Sequence, residues 1–175
     1  MHLETDRLVL RDIEEDDAEA LADLWTDPDV TMFMGGPRDY DNMISVFEQD
    51  AAASDNELRI YDLWPLVEKS SGQVIGHCGL SDKDVEGELE IELVVVLARQ
   101  VWGKGYATEI SHALLDFAFE TAGLERVIAL IDPQNDTSKH MALKVGMEFE
   151  RQVTRPGGTV RDLYAIMRPP AAEEE

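Results

Sequence analysis

The fold is decided by the stretch from Glu88 to Glu109, which reads ELEIELVVVLARQVWGKGYATE. Its first part alternates, with acids on one face of a strand and apolar side chains on the other. The strand runs into a Gln100-x-x-Gly103-x-Gly105 loop, and a helical apolar stripe follows. Glycines at such a junction let a ligand approach the backbone, and the free amides of the helix start bind anionic oxygens. The loop therefore predicts a phosphate or pyrophosphate site, with an ordinary tight strand-to-helix turn as the alternative.

Before this stretch the chain alternates between helical and strand periods. The pattern predicts a strand over Leu8 to Ile13, a helix between Asp16-Asp17 and Asp27-Pro28, and a second helix capped by Asp39. A β-meander follows, with strands over Leu58 to Glu68, Val74 to Leu80 and Glu88 to Leu97, and a turn over Asp82 to Gly87. Pro65 places the first of these strands at a sheet edge or a bulge.

After the loop the same two periods continue. The sequence predicts a helix ending at Gly123, a strand over Val127 to Ile131 buried on both faces, a helix over Thr137 to Val145, and strands over Phe149 to Val153 and Val160 to Met167. The element order is β-α-α-β-β-β-α-β-α-β-β. It predicts an α+β fold built on a mixed sheet.

Charge and length limit the function classes. The chain has 175 residues, which fits one domain of ~100–200 residues. Asp and Glu number 37 against 15 Lys and Arg, so the net charge is −22. Such a surface argues against nucleic acids and anionic membranes as partners, and it attracts cationic substrates. The acidity indicates either self-repulsion that keeps the protein soluble or adaptation to a salt-rich cytoplasm.

The cysteine content and the length of the apolar runs indicate the cellular compartment of the protein. Cys78 is the one cysteine, so no disulfide can form within the chain, and a reducing cytoplasm fits. The first residues carry acids rather than the apolar core of a signal peptide. The longest strongly apolar run, Leu93 to Ala98, is far shorter than the ~20 residues of a membrane helix. We therefore expect a cytoplasmic location and no membrane contact.

Three motifs resemble the GNAT superfamily of acyl-CoA N-acyltransferases, and more narrowly its Rim-type branch of ribosomal-protein N-terminal acetyltransferases. They are Glu4-Thr5-Asp6-Arg7-Leu8-x-Leu10-Arg11, Trp102 to Glu109, and Asn135-x-x-Ser138 followed by Lys144-x-Gly146-Met147. The resemblance covers residues 3 to about 168. It implies a mixed, mostly antiparallel central sheet with helices on both faces, in one domain over residues 1–168. Residues 169–175 are expected to form a disordered acidic tail.

The resemblance also implies acetyl-CoA as the donor and assigns residues to it. The backbone of Val95, Val96 and Leu97 would pair with the pantetheine arm in a splay between the strands 88–97 and 127–131, and the side-chain amide of Asn135 would bind the same arm. The pyrophosphate would lie on the loop and helix start formed by Gln100, Val101, Trp102, Gly103, Lys104, Gly105, Tyr106, Ala107 and Thr108. No metal is expected, because no histidine pair has zinc-site spacing.

The family reaction needs a base, because an α-amine with a pKa of about 8 is mostly protonated at neutral pH. The resemblance makes Glu92 the first candidate and Glu90 the second, although both could simply belong to the solvated face of the strand. Ala142 stands where many family members carry a catalytic Tyr, so Ser138 becomes the candidate acid; its alternative role is to bond the backbone at a helix start. A backbone amide near Val95 or Val96 would polarise the carbonyl.

Two further residues invite a chemical role. His77 lies on the face opposite Cys78 and either assists Glu92 or is an ordinary polar residue of the sheet. Cys78 lies in an apolar strand and is interpreted as buried and inert.

The substrate that would accept the acetyl group is the part of the function that the sequence determines least. The family builds its acceptor pocket from segments that correspond to Trp25 to Tyr40 and Arg151 to Arg161, where Met32, Phe33 and Met34 could form an apolar wall or belong to the core. We expect a primary amine, either a basic protein N-terminus or a small cationic amine. The alternative function is a catalytically idle acyl-CoA-binding module of the same fold. The chain is expected to be a monomer or a homodimer.

Overall fold

The computed structural model describes residues 2–53 and 61–170, which build one mixed sheet with helices on both faces. These residues contain eight strands: β1 His2–Glu4, β2 Leu8–Arg11, β3 Asp62–Glu68, β4 Val74–Val85, β5 Glu88–Leu97, β6 Arg126–Ile131, β7 Glu148–Thr154 and β8 Val160–Met167. The α-helices are α1 Ala18–Thr26, α2 Tyr40–Ala52, α3 Tyr106–Asp116 and α4 Asp136–Lys144. Short 3-10 turns precede α1 and α3, and a π-helical turn, Phe117–Thr121, follows α3.

The strands lie in the order β1-β2-β3-β4-β5-β6-β8-β7. Each neighbouring pair is antiparallel except β5 and β6, which run parallel. The predicted α+β fold and mostly antiparallel sheet are confirmed. None of the helices in the described part of the chain has the length and apolarity needed to cross a membrane.

Alternation along β5 separates the two faces of the sheet, as predicted. Leu93 and Leu97 face the large core cluster that α3 and α4 cover, together with Ile110 and Ala142. On the opposite face α1 and α2 pack through Leu21 and Phe47. The helix predicted after Asp39 begins at Tyr40, because the Asp39 carboxylate accepts a hydrogen bond of 2.9 Å from the backbone N–H of Asn42.

One prediction about the meander is wrong. The turn expected over Asp82 to Gly87 is shorter, since β4 continues to Val85 and a tight turn at Glu86 and Gly87 joins it to β5. Both turn residues have positive φ, 56° and 93°, which suits a two-residue hairpin turn. For Pro65 the bulge alternative is confirmed. β3 lies between β2 and β4, so it is not an edge strand, and a register shift lies next to Pro65, between Leu66 and Val67.

Chain ends and strand ends differ from expectation in smaller ways. The first predicted strand ends at Arg11 rather than Ile13, and β1 adds a further strand before it. Leu89 lies on the apolar face of β5 but is 75% exposed, because β5 begins beyond the reach of the core. The predicted strand residues 58–60 and tail residues 171–175 lie outside the described residues. The boundary at residue 168 stays a prediction.

Candidate active site

The parallel strands β5 and β6 form a fork. In the described residues a single aligned pair, Glu92 with Ile128, joins them. Beyond this pair β5 continues to Leu97 along β4, and β6 continues to Ile131 along β8. The two strands therefore diverge, and the splay expected between 88–97 and 127–131 is present. An opening of this kind exposes one backbone edge of each strand.

The backbone of β5 offers alternate residues to the fork. Ala98 donates its N–H to Ile75 at 2.8 Å, so the alternation of an antiparallel ladder bonds Val96 to His77. The backbone groups of Val95 and Leu97 then face away from β4 and into the fork. The Leu97 carbonyl is already occupied, because the Trp102 indole donates to it at 2.9 Å. The prediction that Val96 offers its backbone is wrong, and Val95 has the free N–H and carbonyl.

Glu92 lies at the base of the fork with its side chain 14% exposed. One carboxylate oxygen accepts a hydrogen bond of 3.3 Å from the backbone N–H of Leu130, across the fork. The other lies 4.0 Å from Nζ of Lys83. Burial raises the pKa of Glu92 above its ordinary value, against the opposing charges of Lys83, Arg155 and Arg161 and the Leu130 N–H. A buried carboxyl with a raised pKa suits a proton acceptor near neutral pH.

Glu90 is held in an ion pair and differs from Glu92 for that reason. Nε of Arg126 lies 3.1 Å from both Glu90 carboxylate oxygens, and the same guanidinium reaches Glu150 at 2.8 Å. These hydrogen bonds raise the pKa of Arg126, and the bond to Glu150 has the largest effect. Glu90 therefore anchors β5 to β6 and β7, whereas Glu88 is exposed. Of the three acids on this face, Glu92 is the one that bonds a backbone N–H across the fork.

The glycine loop presents its backbone outward. Gly103 and Gly105 have φ of 77° and 82°, in the region that glycine adopts without strain. Helix α3 starts directly after Gly105 without a side-chain cap, so the amides of Tyr106, Ala107 and Thr108 belong to its uncapped first turn. A Cβ added at Gly103 would meet no atom within 4 Å, which leaves the space above the loop open.

Several side chains of this loop serve the protein rather than a ligand. Val101 is buried, Gln100 is exposed, and the Tyr106 hydroxyl donates to Glu68 at 2.6 Å. Nζ of Lys104 lies 3.7 Å from the same carboxylate. The Val101 and Trp102 amides donate to the Ala98 and Arg99 carbonyls, each at 3.1 Å. The amides that a ligand could meet therefore begin at Gly103.

Asn135 and Ser138 lie at the start of α4, on the face of the sheet opposite Glu92. The Asn135 Oδ1 accepts from the Ser138 backbone N–H at 3.1 Å and caps the helix. The Asn135 NH2 group and the Ser138 hydroxyl make no hydrogen bond to another protein group within residues 2–53 and 61–170. Both polar groups are half-buried and free to meet a ligand.

This chain, with its fork and its uncapped helix after the glycine loop, is similar to a known protein family. The family model described as "Acetyltransferase (GNAT) domain" matches residues 7–148. The chain belongs to the GNAT acetyltransferase family. It is 32% identical to the YkkB protein of Bacillus subtilis over 160 residues, which is 87% of this chain and 88% of that protein. It is 31% identical to the N-acetyltransferase p20 of Bacillus licheniformis, covering 93% of this chain and 92% of p20.

A solved structure agrees with this assignment. The GNAT acetyltransferase from Bacillus anthracis superimposes with a TM-score of 0.78 at 25% identity, covering 96% of this chain and 99% of that one. The protein is therefore an N-acetyltransferase of the class that uses acetyl-CoA.

The two segments expected to form the acceptor end of this GNAT enzyme contact each other. Arg161 of the last hairpin donates to the Phe33 carbonyl at 3.2 Å and to Asp132, after β6, at 2.9 Å. Met32 is 58% exposed, whereas Phe33 and Met34 are half-buried, so the expected apolar wall is only partly available.

The cations around Glu92 were missed by the sequence analysis. Lys83, Arg155 and Arg161 come from β4 and the last hairpin, and their charges act on Glu92. Arg155 donates to the Asp84 carbonyl and makes no ion pair with a carboxylate of the described residues. Arg161 also pairs with Asp132, so the cations at this end of the GNAT site are partly neutralised. Composition averages over the surface and carries no signal for such a local cluster of cations.

His77 and Cys78 do not take part in the acetyltransferase site. The Trp25 indole donates to Nδ1 of His77 at 3.1 Å, and the Phe47 ring packs against it with centroids 5.5 Å apart. Burial lowers the pKa of His77 to about 4. His77 is paired with Val96, whereas Glu92 is paired with Ser81, so the expected assistance to Glu92 is wrong. Cys78 is buried, as predicted, and this burial raises its pKa to about 12.

A cavity of about 630 Å³ opens elsewhere, between α1, the β3–β4 turn and residues 98–100. Its lining includes Glu14, Asp23 and Asp27, together with Arg11 and Arg99. It shares Gln100 with the predicted donor loop but none of the residues around Glu92. It is therefore separate from the fork of this acetyltransferase.

Proposed function

We propose that this GNAT enzyme transfers an acetyl group from acetyl-CoA to a primary amine by direct attack in a ternary complex. The observation that carries the proposal is the buried Glu92 carboxylate at the point where β5 and β6 separate. A proton acceptor there would meet an amine entering from the acceptor end and a thioester entering from the loop end.

The donor side fits acetyl-CoA, which supplies the acetyl group already activated as a thioester. The open edge at Val95 would pair with the pantetheine arm, and the Asn135 NH2 would donate to it. The loop over Gln100 to Gly105 and the uncapped amides of Tyr106 to Thr108 would hold the pyrophosphate. The backbone roles of Val96 and of the Leu97 carbonyl are withdrawn, because both groups are already bonded.

Glu92 would accept the proton that the amine loses, through a water molecule. Its raised pKa makes the ionised carboxylate a stronger base than that of an ordinary glutamate. The nearby cations disfavour the protonated, positively charged form of the amine, so they help it bind as its free base; they are Lys83, Arg155 and Arg161. The Val95 N–H would polarise the thioester carbonyl as negative charge develops on it.

Ser138 would donate a hydrogen bond to the leaving sulfur and stabilise the thiolate, which takes its proton from solvent. The proposal rests on its free hydroxyl at the start of α4 and on Ala142 standing where a Tyr is frequent in the family. The matched test is Ser138→Ala against Thr137→Ala, one residue earlier on the same helix. We expect only the former to slow thiol release.

The acceptor is proposed to be a protein N-terminus of the Rim-type kind or a small amine. The fold resembles the ribosomal-protein-S5-alanine acetyltransferase from Vibrio fischeri at 14% identity and a TM-score of 0.71. It also resembles the spermidine N-acetyltransferase from Vibrio cholerae, solved with CoA and spermine, at 17% identity and a TM-score of 0.72. At these identities the likeness is one of fold alone. The cations around Glu92 favour an N-terminal amine, with one charge to lose, over a polyamine. We propose a cytoplasmic location, where such acceptors are made.

The test is calorimetric titration with acetyl-CoA at low and high salt, followed by release of free thiol against small amines, polyamines and N-terminal peptides. We expect binding and amine-dependent thiol release, with peptides ahead of spermidine. Binding without turnover on any amine would instead support an idle acyl-CoA-binding module. No binding in either salt would remove the donor assignment.

A further inference from the structure

We propose that Arg7 is a positioning residue of the donor site, which holds the glycine loop in the shape that accepts the pyrophosphate. The inference rests on the proposed function and gives a role to the Glu4-Thr5-Asp6-Arg7 motif, which that function leaves unused. The motif lies in the turn between β1 and β2, far from the loop in sequence.

The turn is clamped onto the first turn of α3 through Glu109. The Thr5 hydroxyl donates to this carboxylate at 2.6 Å, and Arg7 donates its backbone N–H at 3.0 Å and its Nε at 2.6 Å. Three donors from one short turn converge on a carboxylate whose side chain is 18% exposed. A charged group bonded this completely holds both elements in one relative position.

From this anchored position the same guanidinium reaches the loop itself. Nη1 of Arg7 donates to the Lys104 carbonyl at 2.9 Å, and the guanidinium carbon lies 4.4 Å from the centroid of the Tyr106 ring. A Cβ added at Gly105 would lie 3.5 Å from Nη2 of Arg7. Arg7 therefore contacts the residues on both sides of the glycine that starts α3.

This contact matters because the loop is made of residues with unusual backbone freedom. Gly103 and Gly105, both with positive φ, flank the carbonyl that Arg7 holds. Glycine gains more conformations than other residues when it is released. Fixing that one carbonyl fixes the Lys104–Gly105 peptide plane, and with it the Gly105 N–H at the start of α3. Since Glu109 neutralises Arg7, the contribution is geometric rather than a free positive charge.

Lys69 ties the motif down from the other side. Its Nζ donates to the Thr5 carbonyl at 2.6 Å and lies 3.0 Å from the Glu4 carboxylate. Glu4, Thr5 and Arg7 thus each hold the turn that carries the guanidinium.

The experiment compares a full and a truncated donor on the whole chain. Affinity for CoA is measured by calorimetry, and turnover is measured with S-acetylpantetheine, which lacks the pyrophosphate. We expect Arg7→Ala to weaken CoA binding about tenfold, as loss of one charged contact would, and to leave turnover with S-acetylpantetheine unchanged. Arg7→Lys keeps the charge but cannot make the Nε and Nη1 contacts together, so it should also weaken CoA binding.

Arg168→Ala is the matched control, because Arg168 forms a partly exposed pair with Glu125 at 3.4 Å on another part of the surface. It should bind CoA normally. Arg7→Ala and Glu109→Gln together should weaken CoA binding no more than the stronger single change, since both release the same contact.

Unchanged CoA affinity in both Arg7 variants would overturn the inference and leave the proposed function intact. Equal losses with CoA and with S-acetylpantetheine, in step with a lower melting temperature, would also overturn it, because they indicate a general stability role. Failure of the unaltered protein to bind CoA would instead defeat the proposed function.

Discussion

Glu92 accepts a hydrogen bond of 3.3 Å from the backbone N–H of Leu130, two residues beyond the last aligned pair of β5 and β6. The carboxylate therefore bonds a strand N–H that the fork leaves without a strand partner. This bond fixes the side chain at the base of the fork, whereas its neighbour Glu90 is held in the ion pair with Arg126.

Glu92→Gln is expected to remove the acid limb of the pH–rate profile. Because burial raises the pKa of Glu92, the unaltered enzyme should lose kcat as pH falls through a value above that of an ordinary glutamate. The variant should be about a hundredfold slower, with a rate that keeps rising toward the amine pKa of about 8. The rate of thiol release, measured from pH 5 to 9, gives both the loss of rate and the shape of the pH–rate profile.

The control for that profile is Glu90→Gln, on the same face of the same strand. It breaks the ion pair with Arg126, so it should lower stability while keeping the shape of the profile. Glu92→Gln should be as stable as the unaltered protein at pH 7, since a carboxyl with a raised pKa is less favourable once ionised. A profile that Glu92→Gln leaves unchanged would exclude this residue as the base.

Gly103→Ala is expected to abolish tight CoA binding. With φ at 77°, a side chain there costs about 1–2 kcal/mol of backbone strain and projects into the open space above the loop. Gly123→Ala is the matched control, with φ of 68° and equally open surroundings at the end of the helical segment. Both variants should lose similar stability by urea unfolding, and only the first should lose CoA binding by calorimetry. Equal CoA affinities would contradict the loop assignment.

His77 is expected to make the protein less stable in mild acid. Between pH 6.5 and about 4 the unfolded chain takes up a proton that buried His77 refuses, so the free energy of unfolding falls as pH falls through this window. The full effect is about 3 kcal/mol. In urea unfolding at several pH values, His77→Gln should flatten this slope, and its amide oxygen can still accept from Trp25. His112 is exposed, so His112→Gln serves as the control and should lose stability with falling pH as the unaltered protein does. If His77→Gln loses stability just as steeply, burial of His77 is not the cause.

Cys78 is expected to resist thiol reagents in the folded protein. It is buried, and burial raises its pKa to about 12, so almost no thiolate is available at neutral pH. Titration with a chromogenic disulfide should detect no protein thiol under native conditions and one per chain in guanidinium chloride. The thiol-release assay would then report product alone. Rapid native labelling would contradict the burial of this strand.

Local patterns carried most of the fold prediction, and the errors have local causes too. The helix after Asp39 and the alternation of β5 were predictable because caps and side-chain periods depend on neighbouring residues. The hairpin turn was placed too early, because Asp82 and Asp84 look like turn residues although they lie on the exposed face of β4. Pro65 lies inside the sheet rather than at its edge, because a proline lacks only one hydrogen bond and the predicted bulge beside it accommodates that loss.

The sequence by itself indicated the family, through motifs that resemble those of known members. It also determined the order of the elements after β1 and the glycine loop before α3, which follow from side-chain period and backbone freedom in short stretches. Only the tertiary structure decided which acid stays free and which backbone groups of Val95 and Val96 face the fork. It also revealed that Arg7 reaches Lys104 and that cations surround Glu92. The reason is that these properties depend on strand register and on partners distant in sequence. A shift of one residue in register would move every side chain of a strand to the other face of the sheet.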